Sequence, residues 1–158
     1  SRYTPNYNLL TYLIAFFPKG SSEGGGSISK EPPFRKDTTL TFKKASDSTF
    51  SKVMDVEIAD EEWERARGMM YRTKMTDQQA MLFMFEDEEP QSFWMRNTYI
   101  SLDIIYVNSA KEIVSIAKYA QPRSDVSLPS EGPAQYVVEV PGGFCDRHGI
   151  TKEDRVEF

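Results

Sequence analysis

The sequence predicts an α+β domain built on a mainly antiparallel, barrel-like β-sheet of about seven short strands, with one or two short helices. Two observations lead to this fold class. About seven short apolar or alternating runs follow one another from residue 40 to the C-terminus, and only two stretches carry helix signals. Many short strands with few helices are typical of sheets that curl into a barrel. No internal repeat is present in the sequence.

The composition is that of a single globular domain. The 158 residues are 39% hydrophobic and 27% charged, which allows one well-formed core. The net charge of −5 gives no electrostatic basis for binding nucleic acid, which favours basic patches. A single cysteine excludes an internal disulfide, and one cysteine with one histidine is too few for a closed zinc site. We therefore expect no metal and no cofactor.

The N-terminal fifth of the chain is predicted to consist of an apolar arm, residues 1–19, and a linker, residues 20–33. Residues 9–17 are nearly all apolar, but a bilayer span needs about 20 residues. Three interpretations remain open: an export remnant or membrane anchor, an arm that docks on a partner, or a sequence foreign to the natural protein. Glycine, serine and the pair Pro32–Pro33 make the linker irregular. The globular domain is therefore predicted to span residues 34–158.

Two strands are predicted at residues 40–43 and 53–58, and the first helix follows them. Acidic residues come first and arginines last over residues 61–67, as the helix dipole prefers. Asp60 is expected to cap this helix and Gly68 to end it. We expect Trp63 and Ala66 to face the core.

The middle of the domain is predicted to contain four strands. Residues 81–85 are fully apolar, and an acidic turn at 86–90 follows them. Residues 93–96, 102–107 and 113–119 are the next strands, the last with clean alternation.

The C-terminal part is predicted to hold the longest loop and the second helix. Residues 121–133 contain three prolines, and a loop of this length in a compact domain is usually functional or mobile. A strand over 136–140 precedes a short helix over 144–148, which Gly149 ends, and residues 154–158 form the final strand.

The segment Ser92–Tyr106 is expected to be the centre of the molecule. Two aromatic and apolar runs enclose the polar residues Arg96, Asn97 and Thr98, and Asp103 lies inside the second run. Buried polar groups must find hydrogen-bond partners, at a penalty of roughly 1–3 kcal/mol otherwise. The polar side chains of this segment are therefore predicted to be fixed in place.

Charged residues around this segment allow two interpretations. Arg72 or Arg96 paired with Asp103 or Glu139 would satisfy buried charge in a bidentate manner. Such a network serves either to fix the register around the core or to form a polar pocket in which an arginine recognises a carboxylate or another anion. The sequence leaves both open.

A cysteine nucleophile is a weaker hypothesis. Cys145 and His148 are three residues apart on one predicted helix, so their side chains can face each other, and Asp146 or Asp125 would have to orient the ring. A lone cysteine is more often a small buried hydrophobic residue.

Five blocks of the sequence occur in a specific order and spacing. They are ERARGMMYR at 64–72, MLFMF at 81–85, FWMRNT at 93–98 with LDII at 102–105, YVVEV at 136–140, and GI at 149–150. From about Val53 to Phe158 the chain thereby closely resembles the bacterial and archaeal family called domain of unknown function 192, DUF192. The run LPSEGPAQY at 128–136 looks like members from the Bacteroidetes-type envelope.

The resemblance implies a compact, strand-rich α/β domain, commonly exported or envelope-associated, with no established activity and no assigned catalytic residues. The family generally has alanine at the position of Cys145, which further disfavours a nucleophile there. Candidate binding residues are therefore those that match the family motifs: Arg72, Trp94, Arg96, Asn97, Thr98, Asp103 and Glu139.

We expect a periplasmic or otherwise exported domain that binds a protein partner or a small ligand without catalysis. The predicted pocket has residues 94–103 as its floor and the 121–133 loop as its rim. A hydrolase or transferase using Arg72, Arg96, Asp103 and Glu139 is the alternative. A third possibility is a subunit that associates with a membrane or a partner through residues 9–17.

Overall fold

The computed structural model describes residues 31–158, which form seven strands and two short helices. The predicted arm and residues 20–30 of the predicted linker lie outside the described residues. Within residues 31–158, no helix is long and apolar enough to cross a membrane. The strands are β1 Thr38–Lys43, β2 Lys52–Ala59, β3 Gln79–Phe93, β4 Leu102–Val107, β5 Ile113–Ala120, β6 Leu128–Pro141 and β7 Arg155–Glu157, and the helices are α1 Glu62–Arg67 and α2 Phe144–His148.

The strands form one sheet in the order β5-β4-β6-β3-β2-β1-β7. The α+β, barrel-like class is confirmed, but the sheet is mixed and not mainly antiparallel as predicted. The difference arises at the centre, where β2 and β3 run parallel. A parallel pair needs a long crossover connection, and α1 with the segment that follows it provides one between these strands.

The two outer strands of the sheet meet at one end, which gives the sheet its half-barrel shape. Glu112, just before β5, forms a bridge with Arg155 of β7. The Ile113 N–H donates to the carbonyl of Asp154 at 3.0 Å, and the Val156 N–H donates to that of Lys111 at 3.0 Å. Curling thus covers backbone groups that a flat sheet would leave exposed at its edges.

Both faces of the sheet carry an apolar core, because successive side chains of a strand lie on opposite faces. Leu82 and Ile105 belong to the first core, together with Phe144 of α2. Their neighbours Phe83 and Ile104 belong to the second core, which Met69 also joins. We call the surface bearing the second core the second face.

Two acidic side chains, those of Glu57 and Glu139, lie in one row across the second face. Glu57 of β2 is in register with Met81 of β3, and Met81 is in register with Glu139 of β6. Both carboxylates therefore lie on one face, on either side of a buried methionine. This register places the candidate site.

Strand β3 differs from the prediction at residues 86–90. The structure shows no turn there, and the strand continues to Phe93. Its partner is β6, which begins at Leu128, so much of the predicted 121–133 loop is strand as well. Register shifts between Met84 and Glu89 and between Pro90 and Ser92 accommodate the acidic run and the proline. Pairing between distant segments thus outweighs the local turn signal.

Helix α1 is confirmed, but two details of the prediction are wrong. The N-cap is Glu61, not Asp60: Glu61 and Glu64 form a capping box, in which the Glu64 carboxylate accepts the Glu61 N–H at 3.2 Å and also that of Asp60 at 3.2 Å. Trp63 is 52% exposed, because α1 buries none of its residues and the second face is covered by the segment after it. Gly68 ends the helix as predicted, with a φ of +49°.

Candidate functional site

Two neighbouring cavities open on the second face and share Met69. We call the first the Glu139 pocket; its lining includes Arg67, Phe93, Trp94, Arg96, Thr98 and Glu139. It has a volume of about 20 Å³, which is room for one water molecule. We call the second the Arg72 cleft. Its volume is about 580 Å³, in the range of small-molecule sites.

Glu139 is the most unusual ionisable group at the site. Glu139 is only 4% exposed, and its Oε2 atom has no hydrogen-bond partner among the described residues. Burial raises the pKa of this carboxyl to about 8, and the positive charge of Arg72 opposes the shift only in part. Glu139 is therefore a neutral carboxylic acid at neutral pH, able to donate a hydrogen bond.

Arg72 pairs with a residue that the sequence analysis did not single out. Its Nη1 and Nη2 atoms lie 2.5 Å and 2.8 Å from the two oxygens of Glu57, and both side chains are buried. The predicted pairing of Arg72 with Asp103 or Glu139 is thus wrong. The Arg72 Nε is buried without a partner among the described residues. Glu57 was missed because the alternation in β2 assigned it to a solvent face, whereas the second face is covered.

Asp103 lies apart from the pocket and binds backbone groups. Its Oδ1 accepts the N–H groups of Tyr119 at 2.8 Å and Gly143 at 3.1 Å, and its Oδ2 accepts that of Cys145 at 2.9 Å. The carboxylate thereby holds β5 and the start of α2 against β4. Since both oxygens are engaged, the predicted ion pair with an arginine does not form.

Arg96 forms its ion pair at the surface instead. Its Nε and Nη2 atoms donate to the Asp125 carboxylate at 2.8 Å and 3.0 Å. The guanidinium carbon also lies 3.9 Å from the centre of the Trp94 ring. Arg96 and Trp94 thus form a stacked pair at the rim of the Glu139 pocket.

Asn97 and Thr98 fix the loop that carries this pair. Asn97 has a φ of +54°, its carbonyl accepts the Tyr71 N–H at 2.9 Å, and its Nδ2 donates to the Tyr71 hydroxyl at 3.1 Å. The Thr98 hydroxyl donates to the Arg96 carbonyl at 3.2 Å. Tyr71 and Arg123, also bonded to this loop, have positive φ angles of 68° and 60°. Such constrained backbone is frequent at functional sites.

The structure therefore brings four of the seven predicted residues into one pocket: Trp94, Arg96, Thr98 and Glu139. Arg72 lines the adjacent cleft, Asn97 supports the rim, and Asp103 is elsewhere.

Arg67 is a pocket residue that the sequence analysis missed. In the sequence it stands in the last turn of the predicted helix and flanks Gly68, and it was not among the candidate binding residues. Its guanidinium lies 5.2 Å from the centre of the Trp63 ring, and its side chain forms no hydrogen bond or ion pair with a described residue. It therefore offers a cation that the rest of residues 31–158 does not neutralise through a direct contact.

Cys145 and His148 do not form a catalytic pair. Cys145 is fully buried, and burial raises the pKa of its thiol, so the thiolate is disfavoured. The His148 Nε2 lies 2.9 Å from Asp77, which also binds Arg147. The Arg147 hydrogen bond is the main reason why the pKa of Asp77 falls to about 2. Within residues 31–158, no three His, Cys, Asp or Glu residues are grouped so as to hold a metal ion.

A comparison with models of protein families shows which family the chain belongs to. The model of the family DUF192, described as "Uncharacterized ACR", matches residues 42–158. The chain belongs to the DUF192 family. The match begins in β1, ahead of the region that the sequence motifs covered.

Solved structures with the same fold support this membership. One, from Sinorhizobium meliloti 1021, is described as a "putative transcription regulator"; it is 34% identical with a TM-score of 0.72, over 75% of this chain and 91% of its own. Another, a protein of unknown function from Novosphingobium aromaticivorans DSM 12444, is 31% identical with a TM-score of 0.73, over 88% of this chain and 100% of its own. No curated protein matches the chain.

Proposed function

We propose that this DUF192 domain is a non-catalytic binding domain whose Glu139 pocket takes a carboxylate group, from a small molecule or from a protein partner. One observation carries the proposal: a buried carboxylic acid with a partner-free oxygen lies in a pocket whose lining also includes arginines. A donor deep in a pocket and cations beside it match the needs of an incoming carboxylate.

The chemistry of binding follows from the lining. The O–H of neutral Glu139 donates a hydrogen bond to one oxygen of the ligand, and Arg67 supplies the charge opposite to that of the carboxylate. Phe83 and Phe93 exclude water, which strengthens both hydrogen bonds. Because the pocket holds only about one water as it stands, the ligand enters when the Arg67 side chain moves. Leaving the Trp63 ring costs only about 0.5–1 kcal/mol at an exposed site.

The alternative, a hydrolase or transferase, rests on Glu139 alone. Its raised pKa is typical of a general acid. A two-carboxylate mechanism would need a second free carboxylate, but Asp103 binds backbone N–H groups and Glu57 is held by Arg72. This arrangement favours binding over catalysis.

We further propose that the protein is exported to the periplasm or envelope. The support is the resemblance of the 128–136 run to envelope members of the family and the apolar character of residues 9–17. The same apolar stretch would serve for association with a membrane or a partner. Fractionation of cells that express the full chain decides this; recovery with the cytosolic proteins would overturn it.

The binding proposal is tested with the full chain and pairs of small acids and amides, such as benzoate with benzamide and propionate with propionamide. We expect saturable NMR shifts near Glu139 with the carboxylates and none with the amides. Arg67→Gln removes the cation and should weaken binding about tenfold, the equivalent of one charge-assisted hydrogen bond.

Arg155→Gln is the matched control, since Arg155 lies on β7 and pairs with Glu157 away from the pocket. Its affinity for the carboxylates should equal that of the unmodified protein. Equal binding of acids and amides, or an Arg67→Gln variant with full affinity, would contradict a carboxylate site.

A further inference from the structure

The Arg72 cleft is a second and much larger space, bounded on one side by residues 31–34. The Glu31 carboxylate accepts the Thr73 N–H at 2.6 Å and the Thr73 hydroxyl at 2.8 Å. This contact pins the segment against the chain after Arg72. The cleft is open on one side, and its volume of about 580 Å³ fits an organic molecule rather than a few waters.

The polar lining of the cleft has an excess of hydrogen-bond donors. The Arg72 Nε–H is buried and has no partner among the described residues, while the other two nitrogens of that guanidinium are held by Glu57. The Lys74 ammonium group is exposed and forms no hydrogen bond or ion pair with a described residue. Among the described residues of the lining, Glu31 is the only one with a carboxylate, and it is already bound to Thr73. The buried Arg72 Nε–H therefore lacks an acceptor, and the nearby positive charge of Lys74 favours an acceptor that is anionic.

Apart from Thr76 and Gln79, the remaining walls formed by described residues are apolar. Phe34, Met69 and Met75 line the cleft together with Pro32 and Pro33. Methionine side chains adapt to apolar bodies of different shapes. A ligand for this cleft therefore combines an apolar body with one negatively charged end.

We propose that the Arg72 cleft binds a small amphipathic anion, with an apolar chain against Phe34 and the two methionines and a carboxylate or phosphate at Arg72 and Lys74. The site is distinct from the Glu139 pocket and does not depend on the function proposed for that pocket. The two share only the Met69 wall.

The test uses the full chain labelled with ¹³C at the methionine methyl groups. Decanoate and decyl phosphate, each below its micelle concentration, serve as probes and distinguish a carboxylate from a phosphate source. We expect saturable shifts of the Met75 methyl signal with at least one probe. Met54, buried in the first core, is the internal control and should not shift. Met75 is diagnostic because it lines this cleft and not the Glu139 pocket.

Two lysine variants test the charge. Lys74→Gln should weaken binding about tenfold, as expected for the loss of one charge-assisted contact. Lys152→Gln, a change at another exposed lysine, should leave the affinity unchanged. The affinity is read at the Met75 methyl, which lines this cleft and not the Glu139 pocket, so the failure of one site is distinguishable from the failure of the other.

Three outcomes would overturn the proposal. The first is the absence of a Met75 shift with both probes. The second is equal affinity of the unmodified protein and Lys74→Gln. The third is equal affinity for decyltrimethylammonium, which would show general apolar adhesion without selection for an anion.

Discussion

Glu139 combines three properties that rarely occur together in one residue: deep burial, a raised pKa, and an oxygen without a partner. Each follows from its position on β6, between Met81 and Ile104 on the neighbouring strands. The apolar neighbours disfavour the ionised form, and the nearby guanidinium of Arg72 is already neutralised by Glu57. The structure therefore keeps an acid neutral where solvent would ionise it.

This environment predicts a pH dependence of stability. The pKa of Glu139 rises from 4.5 to about 8 on folding, so the unfolded chain loses this proton first. Between these two pH values the free energy of unfolding should fall, by on the order of 1 kcal/mol per pH unit, and this contribution levels off above pH 8. Glu139→Gln should flatten the profile, as measured by urea unfolding across that range.

Glu153→Gln is the control for the loss of a carboxylate, since Glu153 is exposed. Its pH profile should remain parallel to that of the unmodified protein. If Glu139→Gln also runs parallel, Glu139 ionises normally in the folded state and the proposed donor is lost.

Residue identities at the site were more predictable than residue partners. The family motifs named Trp94, Arg96, Thr98 and Glu139, which the fold brings into one pocket. The ion pairs were not predictable, because Arg72 lies in the crossover between β2 and β3, and its pairing with Glu57 depends on how that crossover packs on the second face. No local pattern in the sequence specifies a parallel pairing of these strands.

At the scale of elements, periodicity located most strands but not their ends. The runs at 102–107 and 113–119 correspond closely to β4, which is buried along its whole length, and to β5, whose burial alternates over its first residues. The acidic run at 86–90 was predicted as a turn but is part of β3, because it pairs with β6, and local composition does not reveal this partner. Trp63 was misplaced for a related reason: the segment after α1 covers the second face in its place.

Asp103 and Arg96 lie in the same central segment but make different contacts. Asp103 accepts buried backbone N–H groups, whereas Arg96 pairs with Asp125 at the surface. Asp103→Asn replaces one acceptor oxygen by an amide donor that faces a backbone N–H group. We expect a loss of roughly 2–3 kcal/mol in the free energy of unfolding. Arg96→Gln breaks an ion pair and the stacking on Trp94, both at the surface, and should change that energy much less than Asp103→Asn does. Urea unfolding of both variants measures the contrast.

The two substitutions check each other, since both remove one charge from the same fifteen-residue segment, Ser92–Tyr106. A larger loss for Arg96→Gln than for Asp103→Asn would mean that the arginine, not the aspartate, holds the central segment together.

At the scale of the whole molecule, the order of strands was beyond the sequence analysis. The α+β, barrel-like class followed from counting short strands, but strand order depends on contacts between distant segments. The parallel β2–β3 pair and the meeting of β5 with β7 both have this origin. The parallel pair also creates the site, because the crossover between β2 and β3 covers the second face.

The closure of the sheet by β7 predicts how the molecule unfolds. β7 has only three residues, yet it pairs with β1 and contacts the start of β5, and its Val156 is 1% exposed in the first core. Val156→Ala should therefore lower the free energy of unfolding by roughly 1–3 kcal/mol through the lost burial and the cavity left behind. Because β7 pairs with β1 and also contacts the start of β5 at the opposite edge of the sheet, this loss should appear in the global transition. Val53→Ala, at a β2 position that is 55% exposed, should change the free energy of unfolding only slightly. Urea unfolding and amide hydrogen exchange measure both variants. If Val156→Ala increases exchange only within β7 and leaves the urea midpoint unchanged, β7 is a separable edge and the half-barrel does not depend on its closure.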